Sequence, residues 1–226
     1  VDGERIYMRS EADAIVNPHQ KTCTFPYKDL CGAGVAWAVI VALYEKNNIE
    51  QREVEDLLEF VAFATVGDIM SLTGLNRIQV KEGLKRIHHT TNIGMRALVS
   101  QCGLLPEQID TYHFGFVLGP CINAAGRLDT ARRALRLFIS ESPEEAAEIA
   151  DELVVLNEER KEMTRQGVEE AKQLVEEGGY EKDPVLILYL PDVHESIAGI
   201  IAGRIRECYY RPTFILTKAE DGVKGS

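Results

Sequence analysis

The sequence of 226 residues contains no apolar run that approaches the roughly 20 residues needed to span a bilayer. Its five cysteines are an odd number, are widely spaced and include no Cys-x-x-Cys pair, which argues against a disulfide framework or a zinc knuckle. Reduced, buried thiols in a cytoplasmic protein are expected instead. Basic residues are outnumbered by acidic ones, 25 to 36, and the formal net charge of −11 argues against a broad basic surface for nucleic acid.

The content of 45% hydrophobic and 27% charged residues is that of an ordinary globular chain. The opening stretch, VDGERIYMRS, has no basic segment followed by an apolar one and so does not resemble a signal peptide. The fold class predicted from the pattern is α/β, with a helix-rich first part, a long helix and a final βαβ unit.

Helices dominate the prediction for the first 141 residues. A short strand is predicted at 14–16, and a glycine-rich loop at 119–128. The helix after the glycines of 32–34 is apolar on nearly every side and is expected to be buried. Amphipathic helices are predicted at 52–66, 76–87, 92–102 and 129–139.

One helix is unusually long. Ser142 is predicted to cap it, Pro143 to occupy its first turn, and Gly178-Gly179 to end it. A helix of about 35 residues is roughly 50 Å long, which suits a connection between two domains. The apolar stretch VLILYL, the small-residue helix IAGIIAGRIREC and the stretch PTFILT then form a βαβ unit with parallel strands. Such a small final unit suggests a truncated domain.

Four segments combine residues that suit phosphate or metal chemistry. Gly32 and Gly34 open a helix where backbone N–H groups can attract phosphate, although tight packing explains glycine there equally well. Asp68 ends an apolar run, as a Mg²⁺ or Mn²⁺ ligand would, or as a helix cap. Arg127 could bind a phosphate with two hydrogen bonds or lie on the surface beside a turn. His194 could bind substrate or cap a helix.

The pair His88-His89 suggests a metal site, but its position favours another interpretation. It follows a helix, where cationic and polar side chains are favourable, so a solvated helix end is the expected interpretation.

In this order, the segments resemble the RecJ family of the DHH phosphoesterase superfamily over essentially the whole chain. The stretches that carry the resemblance are ADAIVNPHQ, LCGAGVAW, FATVGDIMSLTGLNR, LGPCINAAGRLD, LNEERKE, VHESIAGIIAGRI, YRP and DGVKGS. The resemblance implies that 1–141 is the later part of a DHH domain, that 142–179 is a connecting helix, and that 183–226 begins a DHHA1 domain.

The family degrades single-stranded DNA from the 5′ end in DNA repair and recombination, with two Mn²⁺ or Mg²⁺ ions. By resemblance, Asp68 is a catalytic metal ligand, and the family's other acidic motifs, including Asp-His-His, are absent here. The substrate-binding residues implied in the same way are Gly32, Gly34, Asn123, Arg127, His194, Arg204 and Ser226. A single-strand binding protein and a helicase are the implied protein partners, and no membrane is implied. A chain with one metal ligand is expected to be an inactive fragment.

Four positions depart from the family pattern. Cys121 stands where an arginine is usual, which removes a positive charge from the DNA path, while Gly67, Ser71 and Leu75 replace alanine, proline and glutamate. Two alternatives stay open: a DHH phosphodiesterase for short RNA or cyclic dinucleotides, and a non-catalytic replication subunit with the RecJ fold. The segment GPCINAAGRLD and the long helix favour RecJ over the first, and Asp68 speaks against the second.

Overall fold

The structure is a computed structural model that describes residues 11–128, 131–220 and 222–226. The chain divides into two compact units, Val1–His89 and Thr90–Ser226. In the described part of the chain, no helix combines the length and the apolar character needed to cross a membrane.

The first unit is built from helices. They are α1 (Gly32–Lys46), α2 (Arg52–Asp56), α3 (Leu58–Gly67) and α4 (Gly74–Ile87). Helices α3 and α4 pack closely because Gly83 has no side chain, and a Cβ there would collide with the Leu58 carbonyl and with Ala62. The core between them contains Leu58, Val61, Ala62, Val80 and Ile87.

Three predictions for this unit were wrong. Residues 14–16 form no strand, and Ile15 and Val16 are 55% and 63% exposed, because no strand of the described first unit pairs with them. The predicted helix at 52–66 is two helices, interrupted at Leu57. Helix α1 is not buried: among its residues only Gly34 is, since α1 packs against α2 and α3 on one side and its other apolar side chains stay accessible.

The second unit combines a helical part with a small sheet. Its helices are α5 (Ile93–Gln101), α6 (Thr111–His113), α7 (Gly119–Leu128), α8 (Ala131–Ile139), α9 (Pro143–Gly178) and α10 (Ala198–Tyr209). Its strands are β1 (Leu186–Tyr189), β2 (Thr213–Ala219) and β3 (Gly222–Gly225). The predicted helix at 129–139 is confirmed from Ala131 onward, and 129–130 lie outside the described residues.

The sheet confirms the predicted βαβ unit. Strands β1 and β2 are parallel, with Leu186 opposite Thr213, and α10 connects them. Strand β3 adds to β2 in the antiparallel direction. The apolar faces of β1, β2 and α10 share a core with the C-terminal part of α9, to which Ala171 and Val175 belong.

Helix α9 begins and ends where local sequence signals predicted. The Ser142 hydroxyl accepts a hydrogen bond from the Glu145 N–H (3.2 Å), and Gly179 ends the helix with a φ of 67°. At 36 residues the helix is about 54 Å long. It packs against α5, α7 and α8 and, further along, against α10 and β1.

Candidate functional site

Asp68 lies at the end of a buried helix, as predicted. It is the C-cap residue of α3, its backbone N–H donates to the Ala64 carbonyl (2.8 Å), and its carboxylate is exposed. The next residue, Ile69, has a φ of 54°, in the left-handed region that a β-branched residue rarely adopts. A hydrogen bond from the Met70 N–H to the Thr65 carbonyl (3.1 Å) closes this turn. The turn therefore directs an accessible carboxylate away from the core.

The glycines of α1 lie beside the last part of α3. The Cys31 thiol, at the start of α1, is 3.4 Å from the hydroxyl of Thr65, three residues before Asp68. Gly32 is exposed, and a Cβ there would meet nothing within 4 Å. Gly34 is buried, and a Cβ there would be 3.4 Å from Leu30. Gly32 thus leaves backbone open to a ligand, whereas Gly34 serves helix packing.

The residues around Asp68 do not by themselves form a metal centre. Across the described residues, no group of three or more His, Cys, Asp and Glu side chains could hold an ion. One exposed carboxylate provides too few ligands for Mg²⁺ or Mn²⁺, each of which prefers about six oxygen ligands.

The segment 119–128 is a helix, α7, and not the predicted loop. Pro120 suits a first helical turn, and buried Cys121, Ala124 and Ala125 give the segment an apolar side. Asn123 and Arg127 are both exposed and lie one turn apart on the same face of the helix.

Arg127 connects α7 to the turn that precedes α10. Its Nη1 donates to the carbonyl oxygen of Ser196 (2.7 Å). His194 lies in the same turn, and its Nδ1 is 2.7 Å from the Ser196 hydroxyl and 3.3 Å from the Ser196 backbone nitrogen, from which it accepts a hydrogen bond. His194 therefore caps this turn, as one of its two interpretations predicted.

Ser226 reaches the same turn from the end of the sheet. Its backbone N–H and carbonyl pair with Ile215, and a Cβ added at Gly199 would be only 2.9 Å from its hydroxyl. Nearby, Lys224 forms an ion pair with Glu195 (2.8 Å), and this hydrogen-bonded lysine holds the pKa of the Glu195 carboxyl below its usual range. Arg127, His194 and Ser226 thus converge on residues 194–199.

The other predicted residues are placed differently. Arg204 is exposed on α10 and, within the described part of the chain, makes no hydrogen bond or ion pair. Gly32, Gly34 and Asp68 belong to the first unit, and Asn123, Arg127, His194, Arg204 and Ser226 to the second.

Sequence reasoning assigned no role to Arg160, which lies on α9 beside α7. Its Nε and Nη2 both donate to the side-chain oxygen of Asn157 (3.3 and 2.9 Å). Burial lowers the pKa of its guanidinium, and the positive charge of Arg127 lowers it further. The available signal was the spacing of Asn157 and Arg160, three residues apart in a predicted helix.

The chain is similar to RecJ proteins in sequence. No family model matches it. It is 36% identical over 230 residues to the single-stranded-DNA-specific exonuclease RecJ of Salmonella typhimurium, covering 96% of this chain and 40% of that protein. With RecJ of Bacillus subtilis the identity is 33%, over 94% of this chain and 26% of that protein. The chain thus spans about two fifths of the length of the first of these relatives.

The fold is similar to solved RecJ structures. An exonuclease RecJ bound to manganese aligns with a TM-score of 0.75 and 31% identity, over 86% of this chain and 48% of that one. RecJ from Thermus thermophilus in complex with Mg²⁺ aligns with a TM-score of 0.74 and 31% identity, over 86% of this chain and 30% of that one. The resemblance predicted from sequence motifs is therefore confirmed.

Proposed function

This chain is related in sequence and fold to the RecJ exonucleases, and we propose that it forms part of a metal-dependent 5′-to-3′ exonuclease acting on single-stranded DNA in repair and recombination. The observation that carries the proposal is the 2.7 Å contact between the Arg127 guanidinium and the Ser196 carbonyl. It joins α7, which presents Asn123, to the turn that holds His194. Such a group of donors suits the anionic backbone and end of a DNA strand.

Each residue has a chemical role in this proposal. Arg127, Asn123 and Ser226 bind the 5′-terminal phosphate, and the exposed backbone at Gly32 approaches the strand. His194 and Arg204 bind DNA from the part of the second unit that contains the sheet. Gly34 supports the glycine turn by packing. The position in which the strand end is bound then sets the polarity of digestion, and recognition of a groove in the DNA plays no part.

Asp68 supplies one ligand to a centre that takes two Mn²⁺ or Mg²⁺ ions. Its other ligands come from acidic motifs that these 226 residues do not contain. The chain alone is then inactive. We assign 1–141 to the later part of a DHH domain, 142–179 to the connecting helix and 183–226 to the beginning of a DHHA1 domain. A cytoplasmic location and partners such as a single-strand binding protein and a helicase belong to the same proposal.

The test compares two proteins on a single-stranded oligonucleotide labelled at its 5′ end, with Mn²⁺ present. The chain alone should leave the oligonucleotide intact, and digestion that a chelator stops would contradict this. A protein in which the chain is joined to the missing acidic motifs should release nucleotides from the 5′ end. In that protein, Asp68→Asn should lower the rate by roughly 100-fold or more, because a metal ligand is lost.

The matched control is Asp56→Asn in the same unit. Asp56 is also an exposed acid, but it forms an ion pair with Arg86 (2.8 Å), and its loss should leave the rate unchanged. A joined protein that hydrolyses dinucleotides and leaves long strands intact would favour the small-substrate phosphodiesterase. A joined protein without any hydrolysis would favour a replication subunit.

A further inference from the structure

Two aromatic rings lie exposed just before α7. The rings of Tyr112 and Phe116 stack, with their centroids 5.2 Å apart and their planes at 28°. Tyr112 is 60% exposed and Phe116 is 72% exposed, whereas the nearby Phe114 is fully buried. An apolar surface shared by neighbouring side chains marks a binding site more often than scattered single residues do. The two rings are therefore a candidate site outside the core.

A π-helical turn holds the two rings in place. Residues Phe114–Leu118 form this turn, and the Gly119 N–H donates to the Phe114 carbonyl where the turn meets α7. A Cβ at Gly119 would be only 2.6 Å from that carbonyl oxygen, so the turn requires glycine at this position. Single π-helical turns within α-helical segments are rare and occur frequently at functional sites.

The two rings lie on the same side of the helical segment as Asn123 and Arg127. Exposed residues recur at positions 112, 116, 123 and 127, and buried residues recur at 114, 118, 121 and 125. Spacings of three, four and seven residues place each set along one side of a helix. We call the first set the exposed strip. From Phe116 to Arg127 it covers eleven residues, or about 16 Å.

The segment that carries the exposed strip contains no negative charge. Residues 111–128 include no Asp or Glu, although the whole chain has 36 of them. The net charge of −11 repels DNA phosphates in general, so a segment with one arginine and no acid is a favourable place for a strand to approach. Aromatic rings stack on bases of any identity, because every base has a π-face.

We propose that Tyr112 and Phe116 form a stacking platform for the unpaired bases of a strand whose backbone follows the exposed strip toward Arg127. That this strand is DNA with its end at Arg127 rests on the proposed function. At about 3.4 Å per nucleotide, the spacing along one strand of B-DNA, 16 Å corresponds to about five nucleotides. The platform therefore binds a base within about five nucleotides of the strand end. It favours single strands, since the bases of a duplex already stack on one another.

The test measures the binding of a single-stranded 12-mer with a fluorescent label at its 3′ end. It uses the protein in which the chain is joined to the missing acidic motifs, in EDTA so that no digestion occurs. Phe116→Ala should weaken binding by roughly tenfold, because one stacked base is lost. Phe116→Tyr keeps an aromatic ring and should bind nearly as tightly as wild type. Phe116→Leu keeps an apolar side chain without the ring and should bind as weakly as Phe116→Ala.

A strand that lacks bases separates stacking from other effects of the substitution. When the first six nucleotides from the 5′ end are abasic, wild type should bind at least roughly tenfold more weakly, and Phe116→Ala should cause no further loss. Phe214→Ala is the matched control, because Phe214 is 50% exposed on β2 and lies outside the exposed strip. Its loss should leave the affinity for both strands unchanged. Equal losses of Phe116→Ala on both strands, or no loss on either, would overturn the platform.

The melting temperature identifies a different occupant of the two rings. If a second copy or another part of the joined protein covers them, Phe116→Ala should lower the melting temperature or dissociate a dimer, with no difference between the two strands. That result would also overturn the platform. If bases are the occupant, the melting temperature without DNA should stay nearly unchanged, because Phe116 is mostly exposed.

Adding Mn²⁺ to the same proteins separates the platform from the proposed function. If binding depends on Phe116 and on the bases but no digestion follows, the platform stands and the proposed exonuclease fails. If digestion proceeds while Phe116→Ala binds both strands as wild type does, the exonuclease stands and the platform fails. A folded joined protein that binds no single strand would contradict both.

Discussion

The sulfur atoms of Cys102 and Cys121 lie 4.0 Å apart, where the end of α5 meets the first turn of α7. Cys121 is buried and also donates to the Val117 carbonyl (3.3 Å), while Cys102 is partly buried. The hydrogen-bonded contact between the two thiols lowers the pKa of Cys102, and the same contact, together with burial, raises the pKa of Cys121. Cys102 is therefore the thiol that becomes a nucleophile.

This pair should form a disulfide when the chain is treated with oxidised glutathione. The Cys102 thiolate attacks glutathione disulfide, and the Cys121 thiol then displaces glutathione from the mixed disulfide, so two glutathione thiols are released. The two sulfurs must approach by about 2 Å. Thiol titration of the denatured protein should find two fewer of its five thiols. The closed loop of about 20 residues should stabilise the chain by about 3 kcal/mol.

Two serine variants control the experiment. Cys208→Ser changes an exposed cysteine and should leave disulfide formation unchanged, whereas Cys121→Ser should abolish it. Peptide mapping that finds Cys102 joined only to glutathione would contradict the prediction.

Gln79→Leu should stabilise the first unit. The Gln79 side chain is only 3% exposed, and within the described structure neither its amide oxygen nor its nitrogen has a hydrogen-bond partner. Burying an unpaired amide costs about 1–3 kcal/mol, and leucine has a similar volume without that cost. The midpoint of urea unfolding should therefore rise, while Gln79→Ala should lower it by leaving a cavity. A lower midpoint for Gln79→Leu would mean that the amide has a bonding role.

Ile69→Gly should also stabilise the chain, by about 1 kcal/mol. Ile69 has a φ of 54° and is 91% exposed, so glycine relieves backbone strain and loses little packing. Ile78→Gly is the control: Ile78 is 59% exposed within α4, and glycine there should destabilise by about 1 kcal/mol. Thermal unfolding of both variants measures the difference. Equal destabilisation would show that the turn after Asp68 needs isoleucine.

The turn at Asp110 should make stability depend on acid pH. The Asp110 carboxylate accepts a hydrogen bond from the His113 N–H (3.0 Å), which holds the pKa of Asp110 below its ordinary value of 3.8. Because folding lowers this pKa, the stabilisation is complete above pH 3.8 and is lost as the pH falls further. The exposed position of the side chain keeps the effect small.

Asp110→Asn isolates this contribution. Asparagine still caps α6 but carries no charge, so the melting temperatures of wild type and variant should converge as the pH falls from 6 to 3. A gap that stays constant over this range would exclude titration of Asp110 as its cause.

The sequence predicted features whose causes are local. The ends of α9 follow from Ser142, Pro143 and Gly179, and each of these acts through its own backbone or its nearest neighbours. The loop predicted at 119–128 was wrong because glycines and a proline suggested a turn. Buried contacts of Cys121 and Ala124, which residue types do not reveal, favour the helix instead.

The candidate site could be predicted only in part. Arg127, His194 and Ser226 were identified by resemblance, but their convergence on residues 194–199 depends on how α7 and the sheet fold back on one another. Arg160 was missed because its neighbour Arg127 is distant in sequence. The contact between Cys102 and Cys121 was missed for the same reason, because these two residues are also well separated in sequence.

Helix α9 fixes the spacing between α7 and α10 in the second unit, because it contacts α7 along one part and α10 along another. A single extra residue between these two contacts would rotate everything beyond it by about 100° and advance it by about 1.5 Å. The Arg127 guanidinium could then no longer meet the Ser196 carbonyl. In this stretch of chain, the number of residues matters more than their identity.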